Sequence, residues 1–395
     1  MTGTSQPRRA PGGFPVVGII GGGQLARMAQ PPAINLGITL SVLAEADDAS
    51  AAQVVPSSPV GEHTDTERVR EFARGVDVVT FDHEHVPAEV LAALESDGVV
   101  LHPSPAALAH AQDKLRMRRR LTDLGIPCPA WAAVHDAAEL EAFAAEHGWP
   151  VVLKTPRGGY DGKGVRLVRS ADEAADWLGR ADADGLLAEE AVDFRRELAV
   201  LLARSPSGQA AVWPVVETVQ TEGICTEVLA PAPGLDPDLA ARLSEAGLRI
   251  AGELGVTGVL AVEVFETRAP DGQPTYVVNE LAMRPHNSGH WTIDGSVTSQ
   301  FEQHLRAVLD LPLGDPSPRD RWTVMANVLG GDFPDLYPAY RHLMARDPGL
   351  KIHLYGKDVR PGRKIGHVDV SGSDLPELRE RAQHAADYLQ GVVTE

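Results

Sequence analysis

Cysteine is nearly absent from this chain. Its 395 residues include only Cys128 and Cys225, which lack the close spacing of metal-binding cysteines. Two isolated thiols exclude a disulfide framework and a thiolate metal centre. We therefore expect both side chains to be structural and the protein to work in a reducing, cytoplasmic compartment.

Positive charge and long apolar runs are also scarce. The chain has 36 Lys and Arg residues against 55 Asp and Glu, which gives a formal net charge of -19. This balance argues against nucleic acid and anionic membranes as partners, and no stretch approaches the length of a membrane span. Residues 1–15 are rich in Gly, Pro, Ser and Arg but lack the apolar core of a signal peptide, so we interpret them as a flexible tail. The remaining basic residues are expected to act locally, at anionic ligands.

Strands and helices alternate in residues 16–103, which predicts an α/β domain with a parallel sheet. The glycine turn at residues 21–23 permits close approach of a ligand at the carboxyl end of the first strand. A dinucleotide site is the rival interpretation of this turn. It is weakened by Gln24, where that fingerprint requires a small residue, and by Pro31 and Pro32, which are expected to interrupt the following helix.

The segment 104–149 has a helical pattern, and a glycine-rich hairpin follows it. Lys154 ends one predicted strand, and residues 158–164 contain four glycines before the next strand begins at Val165. Such mobile backbone folds over phosphates and donates N–H groups to them, while Lys154 and Lys163 neutralise charge. The loop is not a Walker A motif, because the Gly-Lys-Ser/Thr ending is missing.

Two predicted strands around Asp271-Gly272 form a hairpin that places Glu263 directly opposite Glu280. Facing carboxylates repel unless a cation lies between them, so we infer a divalent cation site. The run Arg284-Pro285-His286-Asn287-Ser288-Gly289-His290 follows at once and concentrates polar side chains at a strand end. The cluster from Asp82 to His85 also ends a strand; a substrate contact, a plain surface and a metal site are all open for it.

These motifs resemble the ATP-grasp superfamily and, within it, the N5-carboxyaminoimidazole ribonucleotide synthetase family. The glycine loop at 158–164 is typical of the superfamily. The motifs that indicate the particular family lie at residues 21–28, 80–84, 112–114, 279–280, 284–292, 353–357 and 363–367. The resemblance implies an α/β and α+β chain. It has a flexible tail (1–15), a parallel-sheet pre-ATP-grasp domain (16–103), a two-lobed ATP-grasp fold (104–312) and a small C-terminal domain (313–395).

The resemblance also implies ATP and two Mg²⁺ ions as cofactors, held by residues of the central region. The implied magnesium ligands are Glu263 and Glu280. The implied ATP contacts are Lys114, Lys154, Gly159, Tyr160, Asp161, Gly162, Lys163, Gly164, Val165, Glu189, Glu190, Ala191, Val192, Glu197, Gln220, Asn279 and Glu280. The implied ribonucleotide contacts are Gln24, Leu25, Glu84, Arg284, Lys357, Arg363 and Lys364.

The reaction implied by the resemblance is ATP-dependent carboxylation of 5-aminoimidazole ribonucleotide in purine biosynthesis. ATP activates bicarbonate as carboxyphosphate, a species that must be shielded from water by closure of the glycine loop. The residues implied near bicarbonate are Tyr160, Asp161, Lys163, Arg284, His286 and Asn287. The family also implies small-molecule partners only and a homodimer.

Three rival functions remain open at this stage. Another ATP-grasp ligase would keep the ATP residues but not the ribonucleotide set. A non-catalytic nucleotide-binding regulator would tolerate neutral residues at Glu263 and Glu280, and both acids are present. A dinucleotide dehydrogenase requires a better fingerprint after the first strand.

Overall fold

The computed structural model describes residues 11–159, 164–332 and 335–393. Residues 1–10 of the predicted tail lie outside them. The N-terminal region is a parallel three-stranded sheet in the order β2-β1-β3, which confirms the predicted parallel sheet. Its elements are β1 (Val16–Ile20), α1 (Gln24–Leu36), β2 (Thr39–Leu43), α2 (Thr66–Ala73), β3 (Val78–Phe81) and α3 (Ala88–Ser96).

The prediction that Pro31 and Pro32 interrupt the first helix is wrong. α1 continues through both prolines for 13 residues. Each proline removes a backbone hydrogen bond, which disfavours a helix interior. The helix nevertheless buries an apolar stripe in the N-terminal core, and this packing outweighs the lost bonds. The stripe consists of Leu25, Ala26, Ala29 and Ala33.

The segment from 104 to 149 is less helical than its pattern indicates. Asp113 ends one helix and caps the next, because its carboxylate accepts a hydrogen bond from Arg116 N at 2.9 Å. A strand that sequence reasoning missed then precedes a third helix. The elements are α4 (Pro105–Gln112), α5 (Lys114–Asp123), β4 (Trp131–Val134) and α6 (Ala137–His147).

A small lobe is built on a four-stranded sheet in the order β4-β7-β5-β6. β5 and β6 form the predicted antiparallel pair on either side of the glycine loop. This lobe also contains β5 (Val151–Lys154), β6 (Val165–Val168), α7 (Ala175–Leu178) and β7 (Leu186–Glu190). β5 ends at Lys154 and β6, the edge strand of this sheet, begins at Val165, so the glycine-rich segment joins two adjacent strands.

The largest sheet has nine strands, and every pairing in it is antiparallel. Its order is β13-β12-β8-β10-β11-β14-β16-β15, with β9 on β8. The strands are β8 (Arg196–Arg204), β9 (Ala210–Val212), β10 (Val216–Thr221), β11 (Ile224–Ala230), β12 (Gly258–Arg268), β13 (Pro274–Ala282), β14 (Trp322–Leu329), β15 (Lys351–Leu354) and β16 (Lys364–Gly372). The strands after residue 312 thus extend the sheet that carries Glu263 and Glu280.

Further helices cover the large sheet and its ends. They are α8 (Pro237–Glu253), α9 (Thr292–Gly295), α10 (Gln300–Val308), α11 (Tyr337–Arg346) and α12 (Leu375–Gln390). α12 packs on β14 and β16 through Leu378, Ala382 and Ala385. Within the described residues, no helix combines the length and apolar character needed to cross a membrane.

His304 on α10 joins the N-terminal sheet to the large sheet. Its Nδ1 accepts a hydrogen bond from Val259 N at 3.1 Å, so the proton lies on Nε2, which donates to Thr80 Oγ1 at 2.8 Å. Burial and, to a smaller extent, nearby His102 lower the pKa of His304 to about 3. The folded protein therefore keeps this histidine neutral.

We predict that acidification destabilises the protein partly through His304. The unfolded chain titrates near the ordinary value of 6.5 and so binds more protons than the folded chain below that pH. The neutral His304 contributes fully to the free energy of unfolding above pH 6.5. This contribution falls by up to about 1.4 kcal/mol for each pH unit below that value. Replacing His304 by Gln keeps hydrogen-bonding capacity but removes the titration. The free energy of unfolding, measured by urea denaturation at several pH values, should depend less steeply on pH in His304→Gln than in the wild type. An equal dependence in the two proteins would contradict the prediction.

Candidate active site

The predicted carboxylate pair is present on β12 and β13. Glu263 lies opposite Glu280 in the strand register, as expected. The pairing depends on a bulge that the sequence reasoning did not include: Val264 faces Val278, so Asn279 is an extra residue on β13. Without this bulge Glu263 would face Asn279. The bulge therefore brings the two carboxylates together.

The charge around this pair is predominantly negative. Burial, together with the charges of Glu280 and Glu197, raises the pKa of Glu263 to about 8. His286 Nε2 lies 3.3 Å from Glu263 Oε1, but burial lowers the pKa of His286 to about 3, so the ring is neutral. Lys114 Nζ lies 3.3 Å from Glu280 Oε1. A divalent cation between the acids fits this donor set, because hard cations prefer carboxylate oxygens.

A buried ion network lies beside the carboxylate pair. Lys154 Nζ contacts Glu189 Oε2 at 2.7 Å and donates to Asn279 Oδ1 at 2.9 Å. Arg118 pairs with the other oxygen of Glu189 and donates to Asn279 O at 2.7 Å. Although burial acts to raise it, the pKa of Glu189 is lowered by Lys154 and Arg118. The network fixes the Lys154 ammonium within reach of a ligand at the glycine loop.

The described part of the glycine loop lies against Lys114. The ammonium of Lys114 donates to Gly158 O at 3.3 Å, and Val165 begins β6 with its side chain exposed. Gly164 has a φ of +76°, and an added Cβ there would lie 2.6 Å from Thr155 Oγ1, so a side chain is excluded on both counts. The predicted lid residues Tyr160, Asp161, Gly162 and Lys163 lie outside the described residues.

The predicted adenine hinge ends β7 and continues into a link. Glu190 accepts a hydrogen bond from Ala130 N at 2.9 Å, which fixes the start of the link through Ala191 and Val192. Burial raises the pKa of Glu197 to about 7, and Lys154 opposes this shift. Gln220 lies on β10 opposite Cys225. Of these positions, Glu197 lies near enough for its charge to raise the pKa of Glu263.

The cluster after β3 has two separate roles. Asp82 accepts a hydrogen bond from Ala26 N at 2.7 Å and so anchors the start of α1. Glu84 forms a forked ion pair with Arg284, whose Nε lies 2.7 Å from Glu84 Oε2. Although burial acts to raise it, the pKa of Glu84 is lowered to about 2 by Arg284. Arg284 is therefore shared between an internal carboxylate and any anionic ligand.

The predicted ribonucleotide contacts converge only in part. Lys357 Nζ donates to Gln24 Oε1 at 2.5 Å, which brings the C-terminal region against α1. Lys364 lies close enough to lower the pKa of His286. Arg363 is exposed and donates to Asp358 O at 3.3 Å. The side chain of Leu25 is buried in the N-terminal core, so its backbone is the part available to a ligand.

Asn287 and two residues outside the predicted site complete the arrangement. Neither side-chain amide atom of Asn287 has a hydrogen-bond partner among the described residues, although both are buried, which is the condition of a ligand-binding group.

Sequence reasoning missed Arg118, which lies in a basic run typical of solvated surface. It also treated Cys225 as purely structural; burial raises the pKa of this thiol to about 12, beside Lys364, Glu263 and Asn287.

Comparison with known proteins agrees with this fold and site. Three family models match: the ribonucleotide synthetase preATP-grasp domain at 15–112, the ATP-grasp domain at 119–301 and the phosphoribosylaminoimidazole carboxylase C-terminal domain at 323–381. The N5-carboxyaminoimidazole ribonucleotide synthase of Mycobacterium tuberculosis is 55% identical over 380 residues, which are 95% of this chain and 88% of the relative. That of Corynebacterium ammoniagenes is 51% identical, covering 95% of this chain and 92% of the relative.

Solved structures give the same result. The Thermus thermophilus N5-carboxyaminoimidazole ribonucleotide synthetase has a TM-score of 0.84 and 38% identity, covering 96% of this chain and 99% of that one. An Aspergillus clavatus N5-carboxyaminoimidazole synthase in complex with ADP and 5-aminoimidazole ribonucleotide has a TM-score of 0.85 and 33% identity, with the same coverages, 96% and 99%.

The fold and the site together define an ATP-grasp ligase. A buried ion network, a glycine loop and a facing carboxylate pair lie between its two lobes. The chain belongs to the N5-carboxyaminoimidazole ribonucleotide synthase family. It is an ATP-dependent ligase of purine biosynthesis that carboxylates 5-aminoimidazole ribonucleotide.

We predict that Arg118 is essential for stability although it lies in a basic run. Its side chain is fully buried against Glu189. Replacing Arg118 by Met should cost about 3–5 kcal/mol of unfolding free energy, because a buried carboxylate loses one of its two cations. The matched control is Arg120→Met, whose pair with Glu253 is solvent-exposed and should cost less than about 1 kcal/mol. Equal costs in chemical denaturation would contradict the prediction.

Proposed function

We propose that the facing pair Glu263 and Glu280 holds Mg²⁺ with ATP and that the residues around it carry out the carboxylation. The observation that carries this proposal is the meeting of two carboxylates, Lys114 and the Lys154–Glu189 pair in one site. The metal, when bound, neutralises charge on the β- and γ-phosphates during phosphoryl transfer. Two ions are proposed from the family resemblance.

ATP binds, in this proposal, between the small-lobe sheet and β13. Lys114 and Lys154 face its phosphates, while residues 189–192 meet the adenine edge and Glu197 the ribose hydroxyls. The network of Arg118, Glu189 and Asn279 holds Lys154 in place, so its ammonium needs little reorganisation when phosphate charge arrives. The glycine loop from Gly159 to Val165 then covers the phosphates and excludes water.

Bicarbonate is activated by transfer of the γ-phosphoryl group of ATP to one of its oxygens, which gives carboxyphosphate and ADP. The amine of 5-aminoimidazole ribonucleotide then takes the carboxyl group, and inorganic phosphate leaves. In this proposal the residues of this chain act by position and charge. Arg284, His286 and Asn287 hold the anionic intermediate on one side, and Tyr160, Asp161 and Lys163 close the other.

The neutral state of His286 suits this role. A neutral imidazole beside Glu263 does not compete with a cation for that carboxylate. The Asn287 amide, which is buried without a partner among the described residues, offers both a donor group and an acceptor for a carboxylate-like group. Loss of either side chain should therefore uncouple ATP cleavage from carboxylation more than it weakens ATP binding.

The ribonucleotide is proposed to bind between α1 and the C-terminal strands. Gln24 and Glu84 face the aminoimidazole, and Lys357, Arg363, Lys364 and Arg284 supply the positive charge for its 5'-phosphate. Lys357 and Gln24 are already joined by a hydrogen bond, which supports a shared ligand there. The homodimer, the cytoplasmic location and the proposed domain boundaries remain predictions from the resemblance.

The reaction itself is tested by ADP release with Mg-ATP and labelled bicarbonate, with and without 5-aminoimidazole ribonucleotide. Ribonucleotide-dependent ADP release with label in an acid-labile product is the expected result. ATP turnover at the same rate with and without bicarbonate and the ribonucleotide would indicate a different acceptor. Tight ATP binding without turnover would favour a regulator.

We predict that Glu280→Gln and Glu263→Gln reduce turnover by at least about 100-fold, since even outer-shell partners of metal ligands cost about 10–100-fold. The loss should be accompanied by a higher Mg²⁺ requirement, measured by titrating Mg²⁺ at fixed ATP. The control is Glu266→Gln on the same strand, whose carboxylate pairs instead with Arg195 and Arg196. The assignment would be contradicted if Glu266→Gln raised the Mg²⁺ concentration needed for half-maximal activity as much as Glu263→Gln and Glu280→Gln do.

We also predict that Arg363 binds the ribonucleotide despite its exposure. Arg363→Ala should raise the KM for the ribonucleotide about tenfold or more, the effect of losing one charge-assisted hydrogen bond, and leave the KM for ATP unchanged. Arg360→Ala is the matched control, because Arg360 is an exposed neighbour that pairs with Asp358. If both variants behave alike, Arg363 is a solvated surface residue.

A further inference from the structure

A second cluster of ligand-type side chains lies away from the carboxylate pair, between β15, β16 and α9. His353 faces His367 in the strand register, and Asp369 follows on the same face of β16, two residues after His367. The two histidine rings stack with centroids 4.6 Å apart. One ligand atom from each of the three residues lies within 4.8 Å of the others. The proposed ATP and ribonucleotide chemistry uses none of these atoms.

Two members of the cluster are buried with polar atoms that lack partners. His367 and Asp369 are both 0% exposed. The Nε2 atom of His367 and both carboxylate oxygens of Asp369 lack hydrogen-bond partners among the described residues. Buried polar groups are rarely left unpaired, because each costs about 1–3 kcal/mol. Their geometry therefore indicates a ligand that accepts electron pairs from both.

The distances fit a metal ion better than a hydrogen bond. His367 Nε2 lies 3.6 Å from Asp369 Oδ2, which is too long for a hydrogen bond. Two ligands bound to a tetrahedral zinc at about 2.0–2.1 Å lie about 3.3–3.4 Å from each other. A small contraction of the cluster would place both atoms on one ion.

The surrounding groups orient the ligands as partners of metal-binding histidines do. The Nδ1 atom of His367 lies 2.8 Å from the Tyr355 hydroxyl oxygen; when Nδ1–H donates to that oxygen, the lone pair is left on Nε2. The Nε2 atom of His353 lies 2.6 Å from Asp294 Oδ2 on α9. Asp294 thus either orients the His353 ring or adds an oxygen ligand, and in both cases it belongs to the site.

We propose that His353, His367 and Asp369, together with Asp294, form a structural site for a transition-metal dication, with Zn²⁺ as the preferred ion. Two imidazoles with carboxylates suit zinc, and the full burial of His367 and Asp369 suits a structural ion. The ion ties β15 and β16 to α9. Since β15 leads directly to Lys357, the site would stabilise the segment that contacts Gln24.

The test uses the full-length protein without a polyhistidine tag. Chelator-treated protein is dialysed against Zn²⁺ with excess Mg²⁺ and ADP, so that the carboxylate pair at Glu263 is occupied, and bound zinc is measured by mass spectrometry. We expect one zinc per chain and a melting temperature several degrees higher than that of the chelated protein. Co²⁺ in place of zinc should give the intense visible bands of a tetrahedral complex. Absence of stoichiometric zinc in the wild type would overturn the proposal.

Variants locate the ion. Asp369→Asn keeps the shape of the side chain and satisfies hydrogen bonds but removes an anionic ligand, so it should abolish both zinc retention and the thermal shift. His147→Asn, at the end of α6, is the matched histidine control and should retain both. The proposal would be overturned if Asp369→Asn retained all of its zinc. It would also be overturned if zinc were lost in Glu280→Gln rather than in Asp369→Asn. If Asp369→Asn fails to fold, the wild-type stoichiometry and the Co²⁺ spectrum still decide.

Discussion

The repulsion between Glu263 and Glu280 is the constraint on which the rest of the site depends. Two carboxylates held opposite each other on paired strands raise each other's energy, and the adjacent His286 does not relieve them, because it stays neutral. Lys114 reaches only one of the acids. Without a cation, the pair relieves part of this repulsion by binding a proton, since the pKa of Glu263 is raised to about 8. This arrangement suits a divalent cation that binds together with a polyphosphate. The positive charge of the cation then balances the carboxylates and part of the negative charge of the polyphosphate.

The same site also joins elements of the two lobes. Glu189 belongs to the small-lobe sheet, Arg118 to α5 and Asn279 to β13, and the three are joined by buried hydrogen bonds and ion pairs. A charge network of this kind contributes little net stability compared with apolar packing, but it penalises any misalignment strongly. It therefore fixes the hinge side of the site. The described ends of the glycine loop are held by fewer contacts, the hydrogen bond from Lys114 Nζ to Gly158 O at 3.3 Å and that from Thr155 N to Gly164 O at 3.0 Å.

Local patterns predicted much of this arrangement, and long-range pairing accounts for most of what they missed. Apolar strand patterns predicted β1, β5 and β6, and the turn at Asp271-Gly272 led to the correct carboxylate pair even though a bulge shifts the hairpin axis. Arg118 was missed because burial of one arginine in a basic run depends on Glu189, a partner distant in sequence. The helix through Pro31 was missed because tertiary packing overrode a local penalty. The pairing of β11 with β14, which joins the C-terminal strands to the central sheet, has no local signal at all.

This joined sheet also separates two kinds of metal chemistry along the chain. At β12 and β13 the donors are carboxylates, which favour a hard, hydrated ion that exchanges with its nucleotide. On β15 and β16 the donors include two stacked imidazoles, which favour a borderline-soft ion that stays in place. An ion suited to one set is poorly matched to the other, so a structural zinc would not be displaced by the magnesium that accompanies each ATP. With both proposed sites occupied, the ligand type, rather than distance alone, would allow one sheet to hold an exchanging and a permanent cation.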